Sequence, residues 1–150
     1  VKALCEAGVR VKFIGDISRL PDDIQELIKD LKARTKDNSK LNLTIALSYG
    51  SQAEIAGSMR RIGEKVRAGE IEPEDIDETM VARHLETADL PDPDLLIRTS
   101  GEQRLSNFLL WQCAYTEFVF LDVLWPDFRK EDLISAVEEF GSRNRRYGAI

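Results

Sequence analysis

Two segments of the chain alternate apolar with polar or small residues, which is the pattern of a strand buried on one face. The first is residues 9–15, VRVKFIG, and the second is residues 41–47, LNLTIAL. Two shorter segments carry apolar residues without alternation: residues 94–98, with Leu95, Leu96 and Ile97, and residues 118–121. Such runs are typical of parallel strands that are covered on both faces. The pattern therefore predicts four strands.

The stretches between these strands carry apolar residues at helical spacing. Ile55, Met59, Ile62 and Val66 recur on one face of a long predicted helix, and Gly69 follows at a position where helices often end. The same reasoning predicts a helix that begins at Pro21, with Ile24, Leu27, Ile28 and Leu31 on one face. Further helices are predicted over residues 1–7, 73–85, 107–114 and 130–143. The last of these is expected to face the core with Leu133, Ala136, Val137 and Phe140.

Strands that alternate with helices predict an α/β fold with a mostly parallel sheet flanked by helices. No repeat, low-complexity segment or linker interrupts the chain. Residues 1–150 are therefore expected to form one domain, or most of one.

Composition narrows the classes of function. The net charge of −6 argues against sequence-blind binding to nucleic acid, because such binding needs a basic surface. Any anion must be held by a local cluster of arginines. Cys5 and Cys113 are far apart in sequence, which favours two reduced thiols in a cytoplasmic protein. No signal peptide and no apolar run of about 20 residues is visible.

The densest set of polar side chains follows the third predicted strand and includes Arg98, Arg104 and Ser106. Ligands of open α/β sheets bind beyond the carboxyl ends of strands. Ser106 is expected to cap the helix of residues 107–114, whose N-terminus would attract an anion beside the two arginines. This arrangement predicts a phosphate or diphosphate site. The alternative is a solvated loop whose arginines pair with nearby acids.

The same segment resembles the cis-prenyltransferase family, of the undecaprenyl diphosphate synthase type. The family pattern R-x-x-G-E-x-R-x-S-N-F-L-L-W-Q is matched by RTSGEQRLSNFLLWQ, which begins at Arg98. The resemblance implies that Arg98, Arg104 and Ser106, with Leu105 between them, bind the diphosphate of isopentenyl diphosphate. It also implies that Glu117 binds Mg²⁺, a hard cation that prefers carboxylate and phosphate oxygens. Glu102, which lies in the same motif, is a further candidate residue of the site.

Two more segments are similar to the family. VLWPDF begins at Val123, and RRYG lies near the C-terminus. In the family the terminal R-x-G, here Arg146 to Gly148, reaches the diphosphate site of the partner subunit in a dimer. The alternative for Arg146 and Gly148 is a frayed basic tail after a helix. The strand of residues 41–47 would line the far end of the tunnel for the growing chain, or simply pack in the core.

The chain departs from the family in two ways. The pattern N-Y-G-G-R-x-E-I is replaced by SYGSQAEI, so that Ser48, Ser51 and Gln52 stand where the family has Asn, Gly and Arg. The family's M-D-G-N-x-R-W-A and S-x-E-N-W segments do not occur in these residues. The catalytic aspartate is therefore expected outside this chain, in an absent N-terminal part, and these residues alone are expected to hold half an active site and to be inactive.

The resemblance implies a Mg²⁺-dependent homodimeric transferase that condenses isopentenyl diphosphate onto an allylic diphosphate such as farnesyl diphosphate. Its product would be a long cis-polyprenyl diphosphate, the carrier lipid of bacterial cell-wall peptidoglycan synthesis. The lipid product implies peripheral contact with the inner face of the membrane. Two alternatives remain: a non-catalytic partner subunit of a heteromeric cis-prenyltransferase, and a phosphate-binding α/β module without prenyl chemistry.

Two other features have plainer interpretations. His84 is the only histidine and is interpreted as a surface or capping residue of a short acidic helix. The acidic run of residues 70–78 lacks the spacing and the central glycine of a calcium loop and is interpreted as a solvated helix start.

Overall fold

A computed structural model describes residues 2–143 of the chain. Five helices lie in this part of the chain: α1 Lys2–Glu6, α2 Asp22–Thr35, α3 Ser51–Arg67, α4 Glu78–Arg83 and α5 Lys130–Ser142. Short 3₁₀ helices lie at Ile17–Arg19, Pro73–Asp75 and Trp125–Asp127. Among the helices of residues 2–143, none is both long enough and apolar enough to cross a membrane.

The four predicted strands are confirmed. β1 Val9–Ile14 pairs in parallel with β2 Leu41–Ala46, in a register that places Val9 opposite Leu41. β3 Leu95–Arg98 pairs in parallel with β4 Glu117–Phe120, with Leu95 opposite Glu117 and Arg98 opposite Phe120. The α/β class with parallel strands is therefore confirmed, with the strands paired in two two-stranded sheets.

The chain divides into two compact units between Asp89 and Leu90. In the first unit the core consists of residues from β1, α2, α3 and the α4 region: Val9, Val11, Ile14, Ile28, Ile62, Val81 and Leu85. In the described part of the second unit, residues 90–143, the buried apolar residues are Cys113, Val119 and Ala136. The single-domain organisation of residues 1–150 remains a prediction.

Most helices form where the pattern predicts them, with residues 107–114 as the exception, but the buried faces differ. In α3 the buried residues are Ser51, Glu54, Ser58 and Ile62, whereas Met59 is 40% exposed. Polar side chains occupy this face because they hydrogen-bond there; Ser58 Oγ, for example, donates to the carbonyl of Val81 at 3.4 Å. In α5 only Ala136 is buried, while Leu133 and Val137 are about half exposed.

A hydrogen-bond network joins the carboxyl ends of β1 and β2 in the first unit. The buried carboxylate of Glu54 accepts from the Tyr49 hydroxyl at 2.5 Å and from the Glu86 backbone N–H at 2.8 Å. The Glu86 carboxylate in turn accepts from the Gly15 N–H at 2.5 Å. Burial and the hydrogen bond to Glu54 raise the pKa of Tyr49 above its ordinary value. At the adjoining turn Ser48 has a left-handed φ of +48°, and its carbonyl accepts from the Asp16 N–H at 3.3 Å.

The prediction of a helix over residues 107–114 is wrong. These residues form successive turns, with left-handed φ values of +63° at Asn107 and +47° at Leu109. A right-handed helix cannot continue through such residues. One bond of helical spacing is present, from the Cys113 N–H to the Leu109 carbonyl at 2.9 Å. Apolar residues in this segment are placed by tertiary packing, which a periodicity argument does not capture.

Candidate functional site

The candidate site lies at the carboxyl end of β3, in the second unit. Directly after Arg98 the chain turns with φ values of +70° at Ser100 and +66° at Gly101. The N–H groups of these two residues donate to the carbonyls of Val123 and Leu121, at 2.8 and 2.9 Å. The turn is thereby fixed to the segment that follows β4, and the loop of residues 99–106 projects from it.

Arg98 is the side chain that organises this loop. Its Nη1 donates to the Ser106 hydroxyl oxygen at 3.1 Å and to the backbone carbonyl of Arg104. The structure thus brings Arg98, Arg104 and Ser106 together. The expectation that Ser106 caps a helix is wrong, because no helix begins there; its hydroxyl is held by Arg98 instead.

Arg104 is the most exposed of the charged residues in this loop. Its side chain is 64% exposed and forms an ion pair with the Glu102 carboxylate, which is 40% exposed. Exposed pairs of this kind contribute at most about 1 kcal/mol, so another anion can displace the carboxylate at little cost. The pairing of Glu102 with Arg104 is also what the alternative interpretation, a solvated loop whose arginines pair with nearby acids, predicts.

A cavity of about 170 Å³ opens beside the two arginines. Arg98 and Arg104 supply its charged wall. Its remaining lining is apolar and consists of Leu96, Ile97, Leu105 and Phe108. The cavity is thus suited to a small molecule with an anionic end and a hydrocarbon end. Leu105 is among the residues that the sequence predicts to bind the substrate. Phe108 was assigned no role from the sequence, although it lies within the family pattern.

Glu117 is not brought to this loop. It begins β4, opposite Leu95, whereas Arg98 ends β3 opposite Phe120. Three strand positions separate the two ends, roughly 10 Å along the strand, and the alternation of side chains places Glu117 and Arg98 on opposite faces. The Glu117 carboxylate accepts from Arg143 Nη1 at 2.8 Å.

Arg143 joins Glu117 to α5. Its Nη2 also donates to Glu139 at 2.5 Å, and the hydrogen bonds to Glu117 and Glu139 raise the pKa of Arg143. The spacing of Glu139 and Arg143, four residues apart, is visible in the sequence as a helical pair. Its connection to Glu117 was not predicted, because the two residues are far apart along the chain.

Within residues 2–143, no group of three or more His, Cys, Asp or Glu side chains is arranged to hold a metal ion. A carboxylate such as Glu117 is the donor type that Mg²⁺ prefers, but it is paired with an arginine here. The described residues therefore do not by themselves fit Mg²⁺ at the Arg98 loop. Arg146 and Gly148 lie outside the described residues.

Parallel strand pairs and an arginine-rich loop at a strand end define an α/β protein with a candidate anion site. A family model described as putative undecaprenyl diphosphate synthase matches residues 1–148. The chain belongs to this cis-prenyltransferase family.

Individual relatives agree with the family. The chain is 52% identical over 141 residues to an isoprenyl transferase of Porphyromonas gingivalis, which covers 94% of this chain and 56% of the relative. It is 47% identical over 147 residues to the farnesyl-diphosphate-specific ditrans,polycis-undecaprenyl-diphosphate synthase of Micrococcus luteus, covering 98% of this chain and 59% of that protein. The chain thus spans a little over half the length of these relatives.

A solved structure also has the same fold. Lavandulyl diphosphate synthase from Lavandula x intermedia, in complex with dimethylallyl diphosphate, superposes with a TM-score of 0.91 at 42% identity. The match covers 93% of this chain and 60% of that protein. A probable undecaprenyl diphosphate synthase from Campylobacter jejuni superposes with a TM-score of 0.80 at 35% identity, covering 95% of this chain and 64% of that protein.

Proposed function

We propose that the full-length protein condenses isopentenyl diphosphate onto an allylic diphosphate such as farnesyl diphosphate. In each step a carbon–carbon bond joins the two prenyl units, the allylic diphosphate leaves with the bonding electrons, and the isopentenyl unit loses a proton. Repeated steps with cis double bonds give a long polyprenyl diphosphate, such as the undecaprenyl carrier lipid of bacterial cell-wall synthesis. Family membership and the names of the relatives support this reaction class.

One observation carries the proposal for this chain: the cavity that combines Arg98 and Arg104 with four apolar side chains. A diphosphate would take the place of Glu102 at Arg104 and would lie against Ser106. Paired hydrogen bonds from guanidinium groups to phosphate oxygens are strong because the charges assist them. The five-carbon unit would contact Leu105 and Phe108. In this role the loop binds and orients the substrate.

Mg²⁺ is proposed as the cofactor, with Glu117 as one ligand. When bound, the ion would shield diphosphate charge and ease departure of the leaving group. Because Glu117 lies at the other end of the strand pair from Arg98, an ion that Glu117 binds would lie away from the diphosphate held by Arg98, and its other ligands would come from outside residues 2–143. The family pattern's M-D-G-N segment, absent from these residues, would supply the catalytic aspartate.

A homodimer is proposed for the full-length protein, with Arg146 and Gly148 serving the partner's diphosphate site. Apolar surface on α5 and the preceding turn supports association: Trp125 is 72% exposed, and Leu133, Ile134 and Val137 are each about half exposed. Exposed apolar side chains at this density favour contact with another protein surface. A cytoplasmic location, with peripheral membrane contact through the lipid product, is part of the same proposal.

The test is incorporation of radiolabelled isopentenyl diphosphate with farnesyl diphosphate and Mg²⁺. The full-length protein is expected to yield long-chain product, and a chain of only these 150 residues is expected to yield none. Absence of product from the full-length protein, under conditions where an active relative turns over, would contradict the proposed reaction. Product from the 150 residues alone would show that the catalytic aspartate has been placed wrongly.

A further inference from the structure

A second cluster of cations lies in the first unit, on a cavity of about 660 Å³ between the C-terminal half of α3 and the end of α4. Arg61 and Lys65 line it from α3, and Arg83 and His84 line it from α4 and its end. None of these residues belongs to the loop of residues 99–106 or to β3.

Two side chains of the cluster are held in place by hydrogen bonds. Arg61 Nη2 donates to the His84 carbonyl at 2.5 Å, which ties α3 to the end of α4. His84 Nδ1 lies 2.8 Å from the Met80 carbonyl. A carbonyl only accepts, so Nδ1 carries the hydrogen and Nε2 is the nitrogen not used in this bond. His84 is the C-cap of α4, which confirms its interpretation as a capping residue.

The nearby carboxylates do not cancel the cluster. Glu64 and Glu70 also line the cavity, so three cations face two carboxylates. Within residues 2–143, no ion pair involves Arg61, Lys65 or Arg83. The excess positive charge, the donors of Arg83 and the remaining donors of Arg61 are therefore available to a ligand.

An adjoining cavity of about 530 Å³ shares Lys65, Arg83 and His84 with the first and adds Asp75 and Asp77. The acids of this second cavity are already engaged. Asp75 accepts from the Glu72 N–H at 3.1 Å, and Asp77 accepts from the Met80 N–H at 2.7 Å. One oxygen of each carboxylate is thereby held at a helix start, and the cations outnumber the carboxylates only in the first cavity.

We propose that this cavity binds a phosphate-bearing anion, separate from the site at Arg98. Phosphate is the chemical class that fits, because its oxygens accept paired hydrogen bonds from guanidinium groups and its charge pairs with a lysine ammonium. A lipid headgroup and a free phosphate compound share this chemistry. The proposal does not depend on the prenyl transfer reaction.

The test uses the full-length protein carrying Arg104→Gln, so that the loop at Arg98 contributes little to anion binding. Lys65→Gln combined with Arg83→Gln removes two exposed cations of the cavity, while Arg67→Gln removes one exposed cation of α3 that does not line it. Circular dichroism establishes that each variant is folded. Binding is measured by calorimetry with inorganic phosphate and by sedimentation with vesicles of phosphatidylcholine with or without phosphatidylglycerol.

The Kd for the phosphate ligand is expected to be at least about tenfold higher in the double variant, because the free energy lost with two charge-assisted contacts exceeds that of a tenfold change in Kd. In Arg67→Gln the Kd is expected to stay within about twofold of the parent. Loss seen with inorganic phosphate identifies a free phosphate ligand. Loss seen only with phosphatidylglycerol vesicles identifies a lipid headgroup. No binding in either arm, or equal loss in the double variant and in Arg67→Gln, would overturn the proposal.

Discussion

At the residue scale, the turn after β1 depends on the absence of a side chain at Gly15. Its φ is +98°, and a Cβ added there would lie 2.1 Å from the Leu47 carbonyl oxygen. Both the left-handed backbone and the close approach of β2 require glycine. Its N–H also donates to Glu86, so the turn is part of the network around Glu54.

Gly15→Ala is therefore expected to lower the free energy of unfolding by about 2 kcal/mol or more. Urea denaturation of the full-length protein measures the change. Gly63→Ala is the matched control, because Gly63 lies within α3 and a Cβ there meets nothing within 4 Å. That substitution is expected to raise stability by about 0.4–1 kcal/mol. Equal effects of the two substitutions would contradict the account of the turn.

Tyr49 gives this network a pH dependence. Burial and the Glu54 carboxylate raise the pKa of Tyr49, so its phenol stays protonated in the folded protein at a pH where it ionises in the unfolded chain. The unfolded state then binds fewer protons than the folded state. Stability contributed by Tyr49 is therefore fully present below about pH 10 and is lost as pH rises further.

The expected result is a difference in unfolding free energy between wild type and Tyr49→Phe that is constant near neutral pH and shrinks above about pH 10. Urea titrations at a series of pH values measure it. Tyr115→Phe, at a position that is 67% exposed, is the control substitution. If the difference between wild type and Tyr49→Phe grew with pH, the direction assigned to the pKa shift of Tyr49 would be wrong.

At the scale of elements, the sequence pattern located the strands well and failed at one helix. β1 and β2 were predictable because alternation reports directly which face is buried. Residues 107–114 were not, because left-handed φ values at Asn107 and Leu109 depend on contacts made elsewhere in the fold. Glycine or asparagine can signal such a backbone, but a leucine at φ +47° gives no warning.

The turn after β3 offers a test of its backbone strain. Ser100 is exposed and has a φ of +70°, a conformation that costs a side-chain-bearing residue more than glycine. Ser100→Gly is expected to raise the unfolding free energy by about 0.5–1 kcal/mol, as measured by urea denaturation. Ser39→Gly, at an exposed loop position without left-handed φ, should be neutral or destabilising. Destabilisation by Ser100→Gly would contradict the strained turn.

The candidate site shows the same division between what a pattern predicts and what packing decides. Its position after β3 followed from parallel strands and polar residues at their ends. The contacts that hold the site together could not be predicted in this way, because Ser106 is held by Arg98 and not by a helix start. The pairing of Glu117 with Arg143 joins residues 26 apart in sequence and leaves no local signal.

At the scale of the whole molecule, the family identity rested on one long ordered motif, and the family match over residues 1–148 confirms it. The division into two compact units was not predicted, because no linker or change of composition marks residue 89. The chain spans a little over half of its relatives, so its site is best tested within the full-length protein.

The most direct test of the central claim is the KM for isopentenyl diphosphate of the full-length protein with Arg104→Ala. Losing a charge-assisted contact of about 1.5–3 kcal/mol should raise KM by roughly ten- to a hundredfold. Lys130→Ala removes a positive charge elsewhere in the same unit and should leave KM unchanged. A KM in Arg104→Ala equal to that of wild type would contradict the proposed diphosphate site.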